Sequence, residues 1–290
     1  MIRLDAATVL LQWAVGGLAF LWVTTRRREV GLGYGWLLRG VFGVMAAGAV
    51  AAGRIGDAVP VRDAAAVGVA LACVVALVVS ITRRRAGVRG QRAREERRSA
   101  RVAAMTGIDR AEVRRDVDAK EFPPVLDVVA PLVGLVGLVA AGVAAASGSA
   151  GGGAHVLAVV RTVVGAAFLG AVTDAMLLGH WYLVQPGLGR APLEDLNRWV
   201  AWTWPFEVAA LLWPTGMVSA LNGHIDDGYQ GLLSWFWVAC AVSTLILTVV
   251  TKAALKERAY AAVMAATGLL YLAILTAFGT DLVARAILAG

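Results

Sequence analysis

Apolar residues gather in eight long stretches, approximately 6–25, 35–53, 62–82, 124–147, 155–183, 199–221, 229–251 and 259–281. Each is long enough for an α-helix to cross a bilayer, which takes ~20 residues at 1.5 Å rise per residue. Inside lipid no water satisfies the amides, so a spanning segment must close its own backbone hydrogen bonds, as a helix does. Strands of a membrane barrel would be about 10 residues long with alternating polarity, and these stretches do not alternate. The pattern predicts an all-α, polytopic integral membrane protein of about eight transmembrane helices.

The polar connections carry a second signal. The first holds Arg26, Arg27 and Arg28. The third, 83–123, opens with Arg83, Arg84 and Arg85 and continues with Arg89, Arg92, Arg94, Arg97, Arg98 and Arg101. The fifth has Arg190 and Arg198, and the seventh Lys252, Lys256 and Arg258. The even connections are poor in basic charge: Arg54 and Arg62 are offset by Asp57 and Asp63, and GSAGGGA and NGHIDDGYQG follow. Basic loops stay on the cytoplasmic side, so both termini are expected outside (N-out/C-out), with 83–123 a basic cytoplasmic loop between helices 3 and 4. The first apolar stretch precedes its arginine cluster, the reverse of a cleaved signal, and is expected to remain as a helix. The chain then divides into 1–82 with helices 1–3, the basic and partly helical loop 83–123, and 124–290 with helices 4–8.

Composition agrees with a lipid setting. Of 290 residues 59% are hydrophobic and only 16% charged, with mean hydropathy +0.71, against roughly 25% charged in soluble domains. The net charge of +7 sits in the connections, where it marks orientation and attraction to anionic lipid at the basic loop instead of nucleic-acid binding. The composition, rich in Ala, Gly, Val and Arg, points to a bacterial cytoplasmic membrane. Cys73 and Cys240 lie inside apolar stretches with no metal spacing.

Candidate chemistry concentrates in 174–214. Asp174 and Glu207 are carboxylates within apolar stretches five and six. Counted from the basic ends of those stretches, each is about ten residues in, or ~15 Å, so both are expected at one depth in a pocket opening to the cytoplasm. An isolated charge at mid-membrane costs about 2.5–3.5 kcal/mol on insertion scales, and such residues face the bundle interior and mark proton or ion paths. Trp181 and Gln185 follow Asp174 on nearly the same helical face, with His180 and Tyr182 beside them. Thr203 and Leu211 share a face with Glu207. Pro205 and Pro214 each remove a backbone donor and free a carbonyl one turn back. Trp202 and Trp204 add aromatic surface: seven of the ten Trp lie between 181 and 237. Arg161 is a third embedded charge, and Arg39 and Asp127, near the basic ends of helices two and four, are set to pair or to snorkel.

These residues frame three readings. In the first, a membrane subunit binds a quinone-like or other amphipathic ligand between helices five and six. There Asp174 and Glu207 move protons, His180, Trp181, Tyr182, Trp202, Trp204, Gln185 and Arg161 line the site, and a redox or membrane partner supplies electrons. The second is a proton-coupled secondary transporter using the same acids. The third is a structural or assembly subunit. Three His give no transmembrane haem pair, two Cys cannot hold an iron–sulfur cluster, and no metal-binding spacing, nucleotide loop or nucleophile elbow is present.

Overall fold

The computed structural model describes residues 4–106, 120–147, 152–185, 187–214, 216–257 and 259–289. Residues 107–119 of the basic loop, 148–151 of the glycine-rich connection, Arg258 and the side chains of Arg92, Arg94, Arg98 and Arg101 lie outside the described residues. The rest is 83% helical, with no strand among the described residues. The helices are α1 (Ala6–Thr25), α2 (Leu32–Ile55), α3 (Pro60–Thr82), α4 (Arg89–Thr106), α5 (Leu126–Ala145), α6 (Gly152–Val184), α7 (Ala191–Leu212), α8 (Met217–Leu221), α9 (Leu232–Lys256) and α10 (Tyr260–Ala289). Seven of them, α1, α2, α3, α5, α6, α9 and α10, are long and apolar enough to cross a membrane, which marks a multi-pass membrane protein.

Local chemistry sets the ends. Asp5 caps α1 by accepting from the amides of Ala7 and Thr8, two of the four donors a helix start leaves unpaired. Pro60 opens α3, where the missing N–H costs nothing. The largest departure from the sequence reading is the sixth stretch. Hydrophobicity rises at 199, but α7 begins at Ala191, where Pro192 and the first-turn acid Glu194 favour a helix start. It stops at Leu212, because Pro214 cannot extend the ladder, and the short α8 follows. With Glu194, Asp195, Arg198 and Glu207 in its length, α7 is not one of the seven strongly apolar helices.

Packing centres on α1 and α6. Of their most apolar 18 residues, 67% and 61% are buried, against 33–39% in the other five apolar helices. Helix α1 packs with α2, α5 and α6, and α3 bridges α2 and α5. Helix α6 also packs on α7 and α10, and α9 pairs with α10. The α1–α6 contact is backbone to backbone at Gly16 and Gly170: a Cβ on Gly16 would sit 1.8 Å from the Ala166 carbonyl oxygen, and one on Gly170 2.1 Å from the Gly16 carbonyl carbon. Small residues at a helix crossing allow this approach, which maximises dispersion contact where lipid gives no hydrophobic drive.

Ion pairs lock both ends. At the basic end Arg39 and Asp127 form a bidentate pair at 2.8 and 2.9 Å, with both side chains at most 2% exposed and Thr25 donating to the same carboxylate. Arg190 donates to the carbonyls of Leu255, Glu257 and Ala259, fastening the α6–α7 turn to the α9–α10 turn. At the other end Arg62 joins Asp5 and Asp63.

Candidate functional site

Glu207 is fully buried on α7, and Asp174 is fully buried on α6, as the helical phases predict. They are not brought together. Tyr182 donates through its hydroxyl to the Gly189 carbonyl, and Arg161 donates through Nε to that of Ala210 at 2.8 Å. These two contacts set α6 and α7 antiparallel with Glu207 level with Val164. Asp174 lies ten residues further along α6, about 15 Å away along the axis. The expectation of equal depth fails because α7 starts eight residues before its apolar stretch. That shift carries Glu207 toward the end remote from the basic loops.

What surrounds Glu207 comes from helices far away in sequence. On α10, Asp281 and Arg285 form an i,i+4 ion pair at 2.8 Å, and both are essentially inaccessible. From α1, Gln12 donates through Nε2 to Asp281 and accepts from Arg285 through its oxygen. Gly165 on α6 leaves the space they need, since a Cβ there would lie 2.5 Å from Gln12 Nε2 and 2.8 Å from Asp281 Oδ1. Glu207 sits within electrostatic reach of Asp281, Arg285 and Arg161. Four helices thus place two carboxyls, two guanidiniums and one amide at a single level.

Two features of this cluster are chemically unfinished. The Glu207 carboxyl faces the like charge of Asp281, yet neither Glu207 oxygen has a donor among the described residues. Two carboxylates repel, so they hydrogen-bond only when a proton sits between them. Arg161 is held by the Ala210 carbonyl, whose usual helical partner would be residue 214, a proline. The carbonyl freed by Pro214 is therefore taken by a guanidinium, which is favourable at the carboxyl end of a helix. Its Nη2 has no acceptor among the described residues. A cavity of about 30 Å³, bordered by Asp5, Arg62, Thr162 and Arg285, lies beside the cluster at the end away from the basic loops. That volume has room for about one water. Glu207 itself is not among the residues that line it.

Asp174 is a separate feature. Neither of its carboxylate oxygens has a partner among the described residues, while its backbone carbonyl accepts from the Tyr34 hydroxyl at 3.3 Å.

The remaining sequence candidates hold loops and helix seams. Gln185 accepts from the Gly31 amide and donates to the Glu29 carbonyl, pinning the α1–α2 turn. Trp181 donates to Gln185 and packs its ring on Tyr34, with centroids 5.9 Å apart. Tyr182 ties the α6–α7 turn, as described. His180 is exposed, with Nδ1 3.4 Å from the Tyr271 hydroxyl. Trp204 bonds the Ala241 carbonyl on α9 at 2.9 Å, and Trp202 is 62% exposed. Trp181, Trp202 and Trp204 therefore do not face one common space.

Sequence reasoning missed Gln12, Asp281 and Arg285. The i,i+4 spacing of Asp281 and Arg285 was a usable signal. It was masked because the apolar stretch was ended at 281, whereas α10 continues to Ala289. Comparison with protein-family models, curated proteins and solved structures found no match.

Proposed function

We propose that this chain is a proton-coupled secondary transporter of the bacterial cytoplasmic membrane, with eight spans and both termini outside. The alternation of basic and non-basic connections supports that orientation. The run of α7 beside α6, from the Tyr182–Gly189 contact to the Arg161–Ala210 contact, supports counting α7 as the eighth span.

The observation that carries the functional reading is the pair of Glu207 oxygens without a partner among the described residues, within electrostatic reach of Asp281 and of Arg161, whose Nη2 is also unpartnered there. The carboxyl has two alternative partners. With a proton, it hydrogen-bonds Asp281. Without one, it turns to Arg161 and completes an ion pair. Loading and release of a proton would thereby change how α7 is tied to α6 and α10, which is the coupling a transporter needs. The small cavity at Arg285 is the proton's entry from outside. Asp174, ten residues nearer the basic end, is the next group on its path. The quinone-like reading has less support, because Trp181 and Trp204 are engaged on different helix seams and Trp202 is exposed apart from them.

The test is pH-difference infrared spectroscopy on protein reconstituted in lipid, with proton flux into the same liposomes read by an internal dye. A carboxyl C=O band that titrates in the wild type is expected to vanish in Glu207→Gln and to persist in Asp174→Asn. Proton flux should fall at least tenfold in both variants. If Glu207→Gln folds, keeps the band and leaves flux unchanged, the cluster is structural and the reading is wrong.

A further inference from the structure

Helix α7 is packed closely on α6 but leaves a groove against α9. The groove has a volume of about 620 Å³, within the roughly 300–1,000 Å³ typical of ligand sites. Its chemistry changes along its length. At the basic end lie Arg198, Lys252 and Lys256, all exposed, with Glu194 as the single acid on the lining. Further in, the lining turns apolar at Trp202, Pro205 and Val249. Trp202 is eleven residues and Pro205 fourteen from the start of α7, so the apolar part reaches about 17–21 Å along the helix. Asn197 lies between these zones. It is 3% exposed, its Nδ2 donates to the Thr248 carbonyl, and its Oδ1 has no donor among the described residues.

We infer that this groove is a binding site for an anionic phospholipid of the leaflet on the basic side. Charge complementarity decides the occupant: three cations face Glu194 on the lining, and Asp195, 3.5 Å from Arg198, is shared with Arg27, so net positive charge remains to select a phosphate. The cations' position at the apolar boundary puts that phosphate at headgroup depth. Below it, an acyl chain fits along Trp202, Pro205 and Val249, where a soluble phosphate would leave the groove empty. The unpaired Asn197 oxygen accepts a hydrogen bond, so a headgroup bearing hydroxyls suits it better than a methylated amine. The site is separate from the Glu207 cluster and does not rest on the transport reading. A lipid seated there would fill the seam that α7 and α9 leave open.

Native mass spectrometry of the full chain in mild detergent, with phosphatidylglycerol or phosphatidylcholine added at equal concentration, tests this. Wild-type protein is expected to retain phosphatidylglycerol at least tenfold better than phosphatidylcholine. The double variant Arg198→Ala/Lys252→Ala should lose that preference. Arg84→Ala/Arg85→Ala, which removes the same charge from the third connection, should keep it. Unchanged melting of each variant without lipid separates loss of the site from loss of fold. Equal retention of both lipids by the wild type, equal loss in both double variants, or a co-purifying protein displaced by the groove variant would overturn the proposal.

Discussion

The Arg39–Asp127 pair offers the sharpest energetic test of the fold. Asp127→Asn keeps the shape and leaves the Arg39 guanidinium, 2% exposed, without a counter-charge. Removing one partner of a buried pair costs about 3–5 kcal/mol, because the other charge remains desolvated. The loss here belongs at the upper part of that range, since Asp127 takes two bonds from Arg39 and one from Thr25. At roughly 2–4 °C per kcal/mol for a chain of 150–250 residues, the melting temperature should fall by at least about 6 °C in detergent. Arg39→Met, which strands the carboxylate, should behave similarly. The double variant Arg39→Met/Asp127→Leu removes both charges and fills the space with apolar groups. Buried pairs replaced in this way are often neutral or better, so its melting point should lie within about 3 °C of wild type. The assay is a double-mutant cycle by thermal unfolding of detergent-solubilised protein. Single variants that melt within 2 °C of wild type, or a double variant whose loss equals the sum of the singles, would refute the claim that this pair is both buried and mutually dependent.

Two other variants probe different physics. Gly170→Ala drives a methyl into the Gly16 backbone and should cost about 1–3 kcal/mol by overpacking. Gly40→Ala, whose Cβ meets nothing within 4 Å, should be neutral or slightly stabilising, and equal melting of the two would contradict the α1–α6 crossing. In the 222–231 turn, enclosure of Asp227 opposes its charge, but the amides of Gly231, Ser234 and Tyr229 and the Ser234 hydroxyl outweigh this and hold its carboxyl at about 2. Since an unfolded Asp titrates near ~3.9, its contribution is complete above about pH 4 and is lost as pH falls through 2. Melting temperature should therefore decline less steeply between pH 4 and 2 in Asp227→Asn, and an unchanged slope would remove Asp227 as its cause.

Much of the architecture was legible in the chain. Apolar run length identifies the membrane helices because lipid forces each to satisfy its own backbone. Helical phase identifies Asp174, Thr203, Glu207 and Leu211 as inward-facing, since a charge or hydroxyl turned to lipid is costly, and all four are buried. Position alone made Arg39 and Asp127 candidates for pairing. The failures have a common physical source. Hydropathy marks where a segment becomes apolar, not where a helix begins, so α7 was started eight residues late and the depth of Glu207 misjudged.

The partners of Glu207 were beyond periodicity altogether. Gln12 and Arg285 are 273 residues apart and meet only because α1 and α10 both pack against α6. The sequence by itself determined which residues could not face lipid. Only the tertiary structure decided which of them face one another, because helix order and rotation in the bundle depend on close approaches such as Gly16 on Gly170, which no local pattern encodes.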